Sequence, residues 1–317
     1  PPLMPGEHAR FRPDYAFYKH SEAAYFLVRN TTGHAVGRVA VLEHRPHNAY
    51  RNKKDALLYL YEAIDDDTVA GDGLGLLVEG FEHRPAIGIP YNPPYYPHQW
   101  VEIGGMQKEL DYLSAYMDRD SFTYPERVMR VAQKIRERGN FHVPRFKTKA
   151  EIRACIKPFQ KAYNRAFADV WAYTPIPDED IELIVNRILM IADPSLIKLI
   201  FKDDDLAGFT FAYPDVSAAF QRIKGRLWPF GWIAILLEQR RTEWININGN
   251  AILPEYRGLG GNAVLYDELI RTLRDSRYQK ADFVQVQETN LNMLSDLAEI
   301  IPMEFYKRHR VYTKQLA

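Results

Sequence analysis

The sequence predicts an α/β chain of the α+β kind: mixed, mostly antiparallel sheets flanked by helices, in two tandem halves. Three observations carry that prediction. Apolar runs of strand length alternate with stretches of helical period along the second half. One strand there passes through a glycine-rich turn directly into an amphipathic helix. The first half repeats the beginning and the end of the same plan. The boundaries read as 1–120 for the first half, 121–148 for a connection and 149–317 for the second half.

In the first half, Ala24–Arg29 and Gly37–Glu43 are short apolar runs joined by Asn30-Thr31-Thr32-Gly33, which reads as a hairpin. Ala56–Ile64 is a third strand, ended by Asp65-Asp66-Asp67. Leu76–Phe81 follows Gly71–Gly75, and the segment Pro90–Pro97 is dense in proline and tyrosine. Such a loop packs rigidly or lines a pocket, and the structural role is the expected one. Gln99–Ile103 reads as a helical turn and Asp111–Met117 as a strand. The charged stretch from Asp118 to Lys149 reads as the connection, with a short helix or strand inside it.

The second half is more regular. Lys149–Val170 places Ile152, Ile156, Phe159, Tyr163 and Phe167 on one helical face. Pro177-Asp178-Glu179-Asp180 opens a second helix, proline at the entry and acids in the first turn. Leu196–Phe201 and Leu206–Tyr213 are strands around Lys202-Asp203-Asp204-Asp205, and Trp244–Leu253 is the third. A helix from Ala263 to about Arg274, a strand Ala281–Gln287, a short helix Asn290–Ile300 and a last strand Glu304–Thr313 complete the order.

Composition bounds the function. The chain has 317 residues, 46% apolar and 26% charged, enough for two ordinary domains. Its 41 basic and 41 acidic residues cancel, which removes the general electrostatic footprint of a nucleic-acid binder. No apolar run is long enough to span a bilayer, so neither nucleic acid nor membrane is an expected partner. The single cysteine, Cys155, lies on an amphipathic helix, reads as a small core residue and fits a reducing, cytoplasmic setting. The start at Pro1-Pro2-Leu3 shows no signal peptide and reads as a trimmed N-terminus. His44 and His47 lie near no other ligand type, Pro46 argues against helical spacing between them, and no metal site is expected. There is no G-x-S-x-G nucleophile turn and no G-K-[ST] phosphate loop.

The chemistry concentrates in Ala251-Ile252-Leu253-Pro254-Glu255-Tyr256-Arg257-Gly258-Leu259-Gly260-Gly261-Asn262-Ala263. A glycine turn at a helix start leaves backbone N–H groups free beside the positive end of the helix dipole, a seat for phosphate. Gly258-Leu259-Gly260-Gly261-Asn262-Ala263 also has dinucleotide-fingerprint spacing, but that motif needs an acidic residue about 20 positions on, at the end of a second strand, and the next strand here ends too late, near Glu288. A glycine turn without any ligand is the plain alternative. The segment resembles the acyl-CoA-binding motif of the GNAT acyltransferase superfamily, Q/R-x-x-G-x-G/A. Arg257 and Gly260 fill its first two fixed positions, and Asn262 stands where a second small residue belongs. The element order of the second half is the GNAT order. The whole chain resembles a bacterial group of tandem GNAT-like proteins, on Gly37-Arg38-Val39-Ala40, His47-Asn48-x-Tyr50, Gly75–Phe81, Pro90–Tyr96 and Leu253–Gly258. A GNAT plan needs a turn, helix and strand of about 30 residues after Asp67. Too few residues flank Ala70-Gly71 for that, so the half has lost its cofactor helix or residues are missing there, and we favour the second.

The resemblance implies the site. Acetyl-CoA, or another acyl-CoA, is the expected cofactor and a small-molecule amine the acceptor. Backbone groups of Ile252 and Leu253 would pair with the pantetheine arm. Arg257, Gly258, Leu259, Gly260, Gly261, Asn262 and Ala263 would hold the pyrophosphate, and Asn290 would touch the cofactor or cap the next helix. The position of the family's tyrosine acid falls on Leu297, which cannot donate a proton, and Tyr306 is the substitute. Glu288 and Glu243, each at a strand end, are the candidate bases. Trp171 and Tyr173, between the first two helices of the second half, are the candidate acceptor contacts. The implied activity is acyl-CoA-dependent N-acyl transfer; a non-catalytic acyl-CoA or metabolite binder with the same fold is the alternative.

Overall fold

The computed structural model describes residues 11–63, 75–138, 141–168, 170–171, 173–300 and 303–316. The start at Pro1-Pro2-Leu3 and the junction Ala70-Gly71 lie outside the described residues.

The chain begins with β1 (Glu22–Arg29), β2 (Ala35–Glu43), α1 (Arg45–Arg51), β3 (Leu57–Ala63), β4 (Leu76–Glu79), a turn of helix α2 (Tyr96–His98) and β5 (Gln107–Asp118). It continues through α3 (Glu126–Glu137), β6 (Phe141–His142), α4 (Lys149–Ala154), α5 (Ile156–Ala166), α6 (Asp178–Ile191), β7 (Ile197–Lys202) and β8 (Asp205–Pro214). Then come α7 (Ser217–Arg222), α8 (Gly231–Arg241), β9 (Trp244–Ile252), α9 (Gly261–Arg274), β10 (Lys280–Gln287), α10 (Leu291–Ser295) and β11 (Glu304–Thr313). Helices α7 and α8 have no counterpart in the sequence reading. Helix α8 is apolar nearly all round, so it carries no stripe of period 3.6 to betray it.

Two compact units form, and their boundaries are not those of the sequence reading. One comprises residues 1–112, 217–238 and 307–317, the other 113–216 and 239–306. The stretch read as a connection belongs to the core of the second unit: Ala132 of α3 and Phe141 of β6 pack with Val264 and Leu265 of α9. Arg136 of α3 pairs with both Asp267 and Glu268 of α9, and Asp267 is fully buried.

In the first unit, β1, β2 and β3 form an antiparallel sheet. The hairpin closes at Gly33 (φ +85°) with the Asn30 side chain accepting the amides of Thr32 and His34. Phe26, Leu27 and Val28 of β1 each stay about half exposed, so this sheet does leave apolar surface uncovered. β4 pairs with β11, and Asp111 of β5, fully buried, is held by Arg310, Arg308 and Lys108. The Pro90–Pro97 segment is a packed anchor: buried Asn92 bonds both backbone groups of Leu77, and Tyr96 is fully buried. The expectation that Pro46 denies helical spacing to His44 and His47 is corrected. Pro46 occupies the first turn of α1, where its missing N–H costs nothing, and the two imidazole centroids lie 6.2 Å apart. Burial lowers the pKa of both.

In the second unit the strand order is β5-β10-β9-β8-β7-β6. β9, β8, β7 and β6 pair antiparallel and β10 lies parallel to β9. Alternation along β7 explains the layers. Ile200 packs with α9, whereas Ile197 packs with α5 and α6, and Leu199 with Ala162 of α5.

Candidate functional site

The glycine turn takes the form its sequence requires. Gly258 and Gly260 adopt φ +76° and +89°, a region that side chains with a Cβ rarely enter. A Cβ at Gly260 would lie 2.9 Å from the Ile135 side chain; one at Gly258 would meet open space, so only its backbone angle demands glycine there. Gly260 caps α9, and no side chain does. The first helical backbone bond is Val264 N–H to Gly260 C=O, so the amides ahead of it have no acceptor within the helix. Exposed Arg257 donates its Nε–H to the Ile252 carbonyl at 3.2 Å, which pins the turn to the end of β9.

β9 and β10 part beside this turn. Their parallel register runs from Lys280↔Trp244 to Phe283↔Ile247 and no further among the described residues, although β9 continues to Ile252 and β10 to Gln287. At that point β9 bulges: Ala212 faces Ile247 and Phe211 faces Gly249, leaving Asn248 without a partner on β8. Bulges re-aim side chains next to active sites. Exposed Asn248 donates to the hydroxyl of Tyr213 at 2.5 Å. Burial first, and then the Asp215 and Asp282 charges against the opposing Asn248 bond, push Tyr213 up to about 12. Glycine follows the bulge because a Cβ at Gly249 would lie 2.4 Å from the Phe211 ring.

A polar chain links the open strand end to the helices. Thr210 of β8 bonds Asn250 of β9, whose amide reaches the Tyr266 hydroxyl of α9 at 3.4 Å. Tyr266 donates to Asp296, just past α10, at 2.8 Å, and Asn262 of the glycine turn reaches the same carboxylate oxygen at 3.5 Å. Burial raises the pKa of Asp296 against the opposing Tyr266 bond. The sequence reading did not weigh Thr210, Asn250, Tyr266 or Asp296. The available signals were the asparagines recurring at Asn246, Asn248 and Asn250 inside a strand, and a carboxylate directly before Leu297.

The residues expected from sequence are distributed as follows. Gly258, Leu259, Gly260, Gly261, Asn262 and Ala263 form the turn and the first turn of α9. The Leu253 N–H is taken by the Ala207 carbonyl at 2.9 Å and the Ile252 carbonyl by Arg257, so these two backbone groups are already engaged within the protein. Trp171 comes to the parted end of β10, its backbone N–H bonding the Gln287 side chain at 3.2 Å. Tyr173 bonds Asn164 of α5 and packs near Phe167. Glu288 sits half-buried just beyond β10, on the parted side. Glu243 precedes β9 at the opposite, paired end, about 30 Å away along nine residues of strand, and is not brought to the turn. Tyr306 donates to buried Asp282 at 2.6 Å, within the paired stretch of β10. Burial and the Asp282 charge hold its phenol well above the usual range. Asn290 caps α10 by accepting the Met293 N–H at 3.2 Å. Leu297 is fully buried among Leu269, Leu273 and Phe283.

No family model matches the chain. It is 25% identical over 250 residues to Protein YghO of Escherichia coli K12, covering 76% of this chain and 62% of that protein. It is 26% identical over 251 residues to a bacterial ceramide synthase of Caulobacter vibrioides, covering 77% of this chain and 64% of that protein. The chain thus spans less than two thirds of the curated relatives it matches. Among solved structures it superposes, over 93% of its length, on a GCN5-related glucosamine N-acetyltransferase region of a fungal multi-domain GH3 beta-N-acetylglucosaminidase. The TM-score is 0.53 and the identity 11%, and the match covers 33% of that chain. A parallel strand pair that opens beside a glycine turn and a helix start, on a sheet of this order, has the fold of the GCN5-related N-acetyltransferases, the superfamily this chain resembles.

Proposed function

We propose that the protein transfers an acyl group from an acyl-CoA to a primary amine. The observation that carries this reading is the parting of β9 and β10 after Ile247 and Phe283, beside the start of α9, which no side chain caps. The gap between the strands suits an extended thioester arm, and the amides of Gly258–Ala263 with Arg257 suit a pyrophosphate. The amine nitrogen attacks the thioester carbon, the tetrahedral adduct collapses with cleavage of the C–S bond, CoA departs as a thiolate that takes a proton from solvent, and the ammonium proton passes to a base. We assign the base to Glu288, at the parted end of β10, and the covering contact to Trp171. Acetyl-CoA is the simplest donor. The similarity to a protein named a ceramide synthase favours a long-chain amine over a small polar one, because ceramides are N-acylated long-chain amino alcohols. A second reading, an acyl-CoA binder without turnover, is favoured by Leu297, which places a buried core side chain where the family's acid stands.

Calorimetric titration with acetyl-CoA, longer acyl-CoAs and free CoA, followed by thiol release with a panel of amines, tests both readings. Micromolar binding, about −8 kcal/mol, is expected, weakened about tenfold by Arg257→Ala. Glu288→Gln should lower kcat by about 100-fold or more while leaving acyl-CoA affinity unchanged. Binding without thiol release for any amine selects the second reading. Absence of binding at millimolar acyl-CoA refutes both.

A further inference from the structure

The largest apolar side chains left in solvent cluster on one short segment, Arg222–Arg241, which the acyl-transfer site does not use. Trp228 is 82% exposed and Phe230 72% exposed at the tip of the loop between α7 and α8. Exposed Trp232, Ile233, Leu236 and Leu237 continue the surface along α8 at helical spacing, while Ala234, Ile235 and Glu238 turn inward. The helix is apolar on its inner and outer sides alike, and the outer apolar side is left in water, where an ordinary surface helix carries polar residues.

The loop is preformed. The Trp232 N–H bonds the Leu227 carbonyl at 3.2 Å, and the Trp232 indole N–H bonds the Pro229 carbonyl at 3.1 Å. Gly231 sits so tightly under the Arg226 carbonyl that a Cβ there would lie 1.9 Å from its oxygen. The aromatic tip thus loses little freedom on docking.

Charge identifies the occupant. The segment carries Arg222, Lys224, Arg226, Arg240 and Arg241 against one acid, Glu238, and that acid is paired with Arg222. Lys224, Arg226, Arg240 and Arg241 are all exposed. A rigid Trp-Phe tip and an apolar helix face, flanked by cations, complement an anionic lipid interface: aromatic rings lodge at headgroup depth and cations meet lipid phosphates. With 11 residues α8 is too short to span a bilayer, and no described helix is long and apolar enough to do so. We propose that Arg222–Arg241 is an interfacial docking element that holds the protein against an anionic membrane surface. This inference stands on the segment alone and is independent of the acyl-transfer reading.

Flotation with vesicles of phosphatidylcholine and phosphatidylglycerol, against vesicles of phosphatidylcholine alone, tests it. Co-flotation with the anionic vesicles is expected, with a blue shift of tryptophan emission and loss at high salt. Trp228→Ser/Phe230→Ser should weaken partitioning at least tenfold. Lys224→Gln/Arg226→Gln should weaken it roughly fivefold per charge removed at low salt. Both pairs are exposed, and an unchanged melting temperature verifies the fold. Failure to float with anionic vesicles overturns the proposal, as does flotation that Trp228→Ser/Phe230→Ser leaves unaltered. A dimer by sedimentation that the same substitutions dissociate would show instead that a second copy covers the face.

Discussion

Asp296 shows at the residue scale how one position of sequence separates two environments. Its carboxylate accepts the Tyr266 hydroxyl and lies within reach of Asn262, whereas its neighbour Leu297 is sealed in the core. Burial raises the Asp296 pKa above the ordinary 3.8, so the folded state keeps its proton to higher pH than the unfolded chain. Stability from this group therefore falls as pH rises from 3.8 through the folded value and stays lowered above it. Asp296→Asn, which keeps an acceptor for Tyr266, should raise the urea midpoint at neutral pH and lose that advantage below about pH 3.8. A lowered midpoint at neutral pH would falsify this account and point to a carboxylate that the fold needs charged. Counting forward from Asn290 lands on Leu297, one residue past the group with titratable chemistry, because a count cannot tell which side of a helix turns inward.

At the scale of elements, β5 and β11 are locked by a buried charge. Burial works to raise the Asp111 pKa, but hydrogen bonds from Arg310, Lys108 and Arg308 prevail and hold it well below the usual carboxylate range. A depressed pKa contributes stability above the unfolded value of 3.8, and that contribution is lost as pH falls below it. Asp111→Asn should destabilise the protein by about 3 kcal/mol at pH 7, the low end for a broken buried pair because its cationic partners stay partly exposed. The difference should shrink in acid, as read by urea unfolding across pH. The same scale explains which elements were legible. α9 and β11 follow closely from periodicity and from the glycine turn, since each has one covered side. α8 escaped because its apolar residues do not fall on one side.

For the whole molecule, the decisive fact is that the second unit draws on residues 113–148. Ala115 and Met117 of β5 share a core with Leu269 and Leu273, and Arg119 bonds the carbonyl of Ser276 at 2.9 Å. A fragment of residues 149–317, cut where the sequence alone divides the chain, should show no cooperative thermal transition by circular dichroism. Removing β5 and α3 exposes an apolar sheet edge and one side of α9. A fragment that melts cooperatively would mean that the contiguous division suffices for folding.

Local chemistry was within the reach of sequence: strand and helix periods, the capping Asn290, and a glycine turn whose left-handed angles only Gly258 and Gly260 adopt without strain. These depend on residues a few positions apart. The tertiary structure alone decided that β9 and β10 part after four pairs, that Asn248 bulges there, and that Trp171 meets Gln287. It also decided that an apolar helix would face water rather than the core. Register, divergence and burial are set by hydrogen bonds and packing between residues tens to hundreds of positions apart, and no local pattern encodes them.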